Sequence, residues 1–157
     1  DVALVNMNYY NIEKYNRLKM MEDQTILCVS HTHRLVKEKY VTFDMLSDEK
    51  LIMYNTDSAQ NDMILSRFHS MQIQPNILMY CSQLYTTLNF VRKGDCAAFL
   101  YSSLAVNPRD FVQIPLEPRL STDFGMIWKK DAFTPLRTSK FIDFASGYDI
   151  TPYLPTL

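Results

Sequence analysis

The sequence predicts an α/β fold, with parallel β-α-β units in its middle and a second lobe that the chain re-enters late. Three observations carry this. Between residues 51 and 100, short apolar runs that fit buried strands alternate with segments of helical period, the order that builds parallel sheets. Residues 81–101 read as a Ser-capped helix, a glycine stop and a short buried strand. After Pro115 the alternation gives way to one long strand and a terminal helix.

Taken in order, residues 1–5 form a strand-like apolar run, and the polar, Tyr-rich residues 6–16 a loop. Residues 17–22 and 25–30 read as two extended segments, the second apolar through Ile26, Leu27, Cys28 and Val29. Thr42 is placed to cap a short helix carrying Phe43, Met45 and Leu46. Residues 51–54 are a buried strand stopped by Asn55-Thr56-Asp57. Residues 58–71 fit a helix with Ile64, Phe68 and Met71 on one face, and Pro75 precedes a strand over 76–80. In the next helix Leu84, Leu88 and Val91 make one apolar stripe; Ser82 caps its start and Gly94 supplies the left-handed residue that ends it. Residues 96–100 are a buried strand. Residues 111–114 form a strand ended by Pro115, and 121–129 a longer one with Phe124, Met126 and Trp128 on one side. Thr134-Pro135 reads as a cap with proline at the first helical position, opening a helix that stops at Gly147. The last ten residues, with Pro152 and Pro155, read as an extended tail.

Length and composition bound the function. A chain of 157 residues suits one ordinary domain or two small lobes. A net charge of −1 leaves no electrostatic footprint for nucleic acid or an anionic membrane, so DNA binding is expected only on residues outside this chain. No apolar run reaches the length of a membrane span, and the start has no basic signal-peptide region; without Met and inside a strand-like run, it reads as a cut edge. The cysteines are Cys28, Cys81 and Cys96, with no CxxC spacing, which argues against a disulfide framework and for a reducing compartment. Cys28 and Cys96 sit in apolar strands as core thiols, whereas Cys81 precedes a helix N-terminus, where a thiol can become reactive. Only Gly94, Gly125 and Gly147 occur, so Gly-rich phosphate loops are excluded.

Catalytic and metal sites find little support. His31-Thr-His33 could place two imidazoles on one strand face, but no third ligand lies nearby, and ordinary hydrogen-bonded histidines are the expectation. Ser82, His31 or His33, and Asp95 could be named as a triad, yet no nucleophile-elbow sequence surrounds the serine. Asp44, Asp48, Glu49 and Asp57 scatter over loops and helix starts without forming an acid–base pair. Neither an enzyme nor a cofactor is expected. Two polar clusters remain. Tyr54-Asn55-Thr56 and Cys81-Ser82-Gln83 each follow a buried strand and open a helix. Parallel neighbours would bring these ends together, and the helix N-termini would offer N–H groups to one anionic or polar ligand. The competing reading for either cluster alone is an ordinary cap.

The order of elements resembles the effector-binding domain of LysR-type transcriptional regulators. Val29-Ser-His-Thr-His-Arg-Leu-Val36 resembles the family's "V-P-x-x-H-P-L-A", with Ser30 and Arg34 in place of its prolines. Residues 41–46 followed by Leu51-Ile-Met-Tyr54 resemble "v-s-l-e-D-L … p-l-I", and Leu65, Phe68 and Pro75 sit where the family has "l…f…P". Residues 87–100 resemble "t-i-l-a-l-V-a-a-G-l-G-i-a-l-L-P", with Asp95-Cys96 replacing the second glycine and Tyr101 the final proline. Val112-Gln-Ile-Pro-Leu116, Trp128-Lys-Lys-Asp131 and Lys140-Phe-Ile-Asp-Phe144 resemble "v-v-x-i-P-L", "w-x-k-d" and "F-i-d-f".

The resemblance implies a periplasmic-binding-protein type II-like two-lobed fold, with lobe II complete over residues 29–113 and lobe I partial over 1–28 and 114–157. It implies that the first two βα units of lobe I and the DNA-binding helix-turn-helix are absent from this chain. It implies a small-molecule effector, a homodimer or tetramer in the full-length protein, DNA contact only through the missing N-terminal domain, no membrane, and a cytoplasmic location. Its ligands lie between lobes, so the candidates are Asn6, Ser30 at the crossover, Tyr54, Asn55, Thr56, Ser82 and Tyr101, around a small and by expectation anionic metabolite. The alternatives are a solute-binding protein of a transporter with the same fold and, further off, a small α/β hydrolase using Ser82 or Cys81.

Overall fold

The computed structural model describes residues 2–8, 12–104 and 111–150. The fold is mixed α/β, with a hydrogen-bonded strand order β1-β6-β2-β5-β3-β4. The strands are β1 (Val2–Asn6), β2 (Tyr15–Val29), β3 (Lys50–Met53), β4 (Asn76–Tyr80), β5 (Ala97–Tyr101) and β6 (Val112–Lys129); the helices are α1 (Ala59–Ser70), α2 (Leu84–Lys93) and α3 (Leu136–Ser146). The chain divides into two compact units, one over residues 24–120 and the other from the described residues before 24 and after 120. The division falls after Asp23 and after Leu120, inside β2 and β6.

The unit over 24–120 is built on the expected alternation. β3 runs parallel to β4 on one side and to β5 on the other. β5 also pairs antiparallel with β2, from Thr25↔Tyr101 to Cys28↔Ala98. Successive residues of a strand face opposite ways, so the apolar runs fill two cores. Leu27, Val29, Leu51, Met53, Ala97 and Phe99 pack with Ile64 and Phe68 of α1. Ile26, Cys28, Ile52, Ala98 and Leu100 pack with Val91 of α2. Covering on both faces explains why these strands read as unbroken apolar runs. At the centre, the Phe43 and Phe68 rings meet edge to face at 4.9 Å, and Phe99 stands 6.5 Å from Phe68.

Helix ends separate the caps that form from those that do not. Ser58 caps α1, its Oγ accepting from Asn61 N at 3.1 Å. Ser82 does not cap α2: Gln83 takes the N-cap position, with no side-chain cap bond, and Ser82 is exposed. Likewise Phe43, not Thr42, precedes the short 3-10 turn Asp44–Leu46, and Pro135 stands at the N-cap of α3 while Thr134 Oγ1 donates to Ala132 O at 3.5 Å. Gly94 ends α2 at φ +88°, as the sequence requires. Met71 lies exposed at the end of α1, off the buried face of Ile64 and Phe68.

Two extended elements are longer than the sequence suggests. The segments at 17–22 and 25–30 are one strand, β2, and those at 111–114 and 121–129 are one strand, β6. Pro115 does not stop β6. Its carbonyl accepts from Val41 N at 2.9 Å, and Glu117 N donates to Val41 O at 2.8 Å, so a neighbouring segment takes the ladder bonds that remain around the prolines.

The other unit pairs β1 antiparallel with the end of β6, from Val2↔Trp128 to Asn6↔Phe124, and adds α3. β1 is the outer strand of the order. Gly125 is held close: a Cβ there would strike Met7 Sδ and the Leu18 carbonyl. Lys19 bonds Glu22 at 3.2 Å and Asp123 on β6; these two carboxylates hold its ammonium above the ordinary lysine range, Asp123 most. Among its described apolar residues only Ile12, Met126 and Ala145 are buried, whereas Leu4, Phe133, Leu136, Phe141 and Phe144 are exposed.

Candidate functional site

In a parallel sheet the ligand crevice lies outside the carboxyl ends of the strands, where successive connections leave in opposite directions. The β-α-β-α-β run β3-α1-β4-α2-β5 has the spatial order β4-β3-β5, which puts that point between β3 and β5. Tyr54 and Asn55 follow β3; Tyr101 closes β5, and buried Ser102 follows it. Thr25 on β2 stands opposite Tyr101.

The first turn of α1 is linked to β2 here. Gln60 is buried and its Nε2 donates to Thr25 Oγ1 at 3.4 Å, tying the helix start to β2. Asn61 is buried beside it, its backbone N–H taken by Ser58. The side-chain oxygens Gln60 Oε1 and Asn61 Oδ1 are both buried with no hydrogen-bond partner. Buried amide oxygens are almost always paired in proteins, so these two are exceptions.

On the opposite face, Cys81 N donates to Met53 O at 2.8 Å, carrying the β3–β4 pairing one residue past the end of β4. Tyr54 and Cys81 pack against the α2-side core. Burial, and then the nearby Cys81, push the Tyr54 phenol above its ordinary range, so at neutral pH it is a hydrogen-bond donor. Cys81 is half-buried, its Sγ 3.7 Å from Gln83 O.

The expected site residues therefore separate. Tyr54, Asn55, Thr56 and Tyr101 sit at the strand ends that border the switch point, with Asn55 and Thr56 exposed. Ser82 follows β4, one strand further out. Ser30 does not belong here. The antiparallel register puts it past Cys28↔Ala98, at the opening end of β5, and it is buried there with Oγ 3.2 Å from Thr32 Oγ1. A Cβ on Gly94, at the far end of α2, would lie 3.3 Å from Ser30 Oγ. The division into units falls between Asp23 and Gln24, next to Thr25. Asn6 lies in the other unit. It accepts from Asn8 N at 3.0 Å and borders a cavity of about 290 Å³ lined with Leu4, Met20, Met21 and Phe124.

Thr25, Gln60, Asn61 and Ser102 were not singled out by the sequence. A signal existed for one of them: Gln60, Ile64 and Phe68 recur at i, i+4 and i+8, so a carboxamide occupies the buried stripe of α1, where an apolar residue would serve packing alone.

The histidines have structural partners. His33 is buried; its Nδ1 accepts from Leu35 N at 3.3 Å, so Nε2 carries the proton and donates to Glu49 Oε2 at 3.0 Å. Arg34 Nε also donates to Glu49, and Arg34 Nη2 donates to Met45 O at 2.7 Å. Among the described residues no group of three or more His, Cys, Asp or Glu could hold a metal ion.

A doubly wound sheet with a second unit entered by long strands is an architecture in which ligand sites lie at strand ends. The model of the LysR substrate binding domain matches residues 1–148, and the chain belongs to that family. Its fold matches the Synechocystis PCC6803 CcmR regulatory domain in complex with 2-PG at a TM-score of 0.82, with 13% identity over 93% of this chain and 72% of that one. The effector binding domain of QuiR in complex with shikimate gives a TM-score of 0.80, with 21% identity over 96% and 72% of the two chains. HinK, a LysR family transcriptional regulator from Pseudomonas aeruginosa, gives 0.74, with 17% identity over 92% of this chain and 51% of that one. No curated protein matches the chain. Among the described residues no helix is long and apolar enough to cross a membrane.

Proposed function

We propose that this chain is the sensing part of a LysR-type transcriptional regulator, which holds a small metabolite at the β3–β5 switch point and thereby biases a DNA-binding domain elsewhere in the protein. The observation that carries this reading is the buried Thr25–Gln60 pair with the unpaired Asn61 carboxamide on the α1 side, and Tyr54 and Tyr101 at the neighbouring strand ends, in a member of the LysR substrate-binding family. Tyr54, Asn55, Thr56 and Tyr101 remain in the proposed site, and Ser82 borders it. We further propose that the unit containing β1 and α3 is one lobe in partial form: its outer strand is apolar and its helix face uncovered, as expected where a further strand and helix of the same protein would pack. The reading includes no catalytic residue. Assembly as a dimer or tetramer and a cytoplasmic location belong to the same proposal.

The test is made on the native protein. Its intact mass is expected to exceed this chain by roughly one further domain, and its affinity for its own promoter DNA is expected to change when the metabolite is added. A native chain carrying a cleaved export signal, with no response on DNA, would sink this reading in favour of a transport receptor. The site is tested by Asn61→Leu, which keeps the side-chain volume and removes the amide; effector affinity is expected to fall about tenfold or more.

A further inference from the structure

We infer that the unit of β1, the end of β6 and α3 carries a ligand site of its own, for a small molecule with an apolar body and one oxygen acceptor held by Asn6. The site is the cavity of about 290 Å³ in that unit, lined by Leu4, Asn6, Met20, Met21, Phe124 and Ile150. Protein interiors are packed as densely as organic crystals, and gaps larger than a water molecule are few. An apolar cavity of about 150 Å³ already takes up benzene. A recess of this size therefore fits one ring or short chain, and is too small to seat a helix, which is about 10–12 Å across.

The lining suits such a body. Met20 and Met21 are half-buried, and unbranched thioethers repack around a guest and make favourable contacts with aromatic rings. Phe124 adds an aromatic partner. The polar instruction comes from Asn6. Leu4 and Asn6 share one face of β1, opposite Met126 and Phe124 of β6, so a carboxamide stands in an otherwise apolar row. Asn6 is only 9% exposed. Its Oδ1 accepts from Asn8 N at 3.0 Å, which fixes the carboxamide and leaves Nδ2 as the group to be satisfied. Nδ2 is buried and has no acceptor among the described residues. A buried donor left unpaired is costly and uncommon. A carbonyl or ether oxygen on the ligand pairs it, while the apolar remainder fills the cavity.

The test uses the full-length native protein with ¹³C-labelled methionine methyl groups. It is titrated with acetophenone and with ethylbenzene, which has a similar body but no oxygen. Acetophenone is expected to move the Met20 and Met21 methyl resonances saturably and to bind about tenfold more tightly than ethylbenzene, the worth of one hydrogen bond. Met53, at the end of β3, is expected to stay in place. Asn6→Leu is expected to abolish the preference for the ketone while both probes still bind. Met20 and Met21 unmoved by either probe would overturn the site, since another part of the protein then fills the cavity. Saturable movement at Met53 alone would put the probes at the β3–β5 strand ends and overturn it too. Equal affinities in the unaltered protein would overturn the role of Asn6, a result that needs no variant to fold.

Discussion

The two units of this chain use apolar residues in opposite ways. Residues 24–120 bury theirs in two cores, one on each face of a sheet, with Phe43, Phe68 and Phe99 at the centre of one. The unit of β1, the end of β6 and α3 shows its own to solvent: Phe133 is 91% exposed, Leu4 74% and Leu136 70%. Stability follows buried apolar area, not apolar content, so the first unit is expected to be the more stable of the two.

That contrast can be broken in several places. The largest effect is excision: residues 24–120 made alone are expected to fold cooperatively, with slow amide exchange in β3 and β5, because both cores lie within that stretch. An unfolded peptide by circular dichroism would mean the other unit is needed after all. Phe68→Ala should cost ~3–5 kcal/mol in urea denaturation, since the ring is fully buried between two others.

The alkaline limb sharpens the picture within the stable unit. Burial pushes the Cys28 thiol up to about 12. The folded state then keeps a proton that the unfolded chain releases near the ordinary thiol range. The stabilisation is therefore complete below about pH 9 and is lost as pH rises toward 12, by a few kcal/mol in all. Cys28→Ala should flatten that limb in urea titrations at successive pH values.

Gly125→Ala tests the other unit. The added methyl would strike a backbone carbonyl and a methionine sulfur, at a cost of ~1–3 kcal/mol. Hydrogen exchange is expected to quicken in β1 and the end of β6 and to stay unchanged in β3 and β5. Leu4→Lys should be the mildest in stability, within about 0.5 kcal/mol. Its expected effect is on association: a charge on the apolar outer strand should shift sedimentation toward monomer. Unchanged sedimentation would acquit that edge.

Much of the stable unit was legible because each local signal agreed with the packing. Gly94, the stripe of Leu84, Leu88 and Val91, and the apolar runs of β3 and β5 all say the same thing twice. The errors fall where a tertiary partner decided. Val41 accommodates Pro115 within β6, and nothing near either residue in sequence announces that pairing. Ser82 and Thr42 have the chemistry of caps but stand one residue short of the position. The strand ends themselves were readable, so Tyr54 and Tyr101 could be placed at the carboxyl ends of β3 and β5. Ser30 could not be placed in this way, because the antiparallel entry of β2 puts the end of that strand at the other end of the sheet. Gln60 and Asn61 were hidden on a helix whose amphipathic pattern invites one to read only its apolar members.

The three thiols also make this protein its own reporter. Cys28 and Cys96 are sealed in the core, while Cys81 alone is half open, beside Tyr54. A maleimide dye should therefore attach at a single position without any residue being replaced. Its emission would then follow events at the strand ends, so that metabolite libraries could be screened on the unaltered chain.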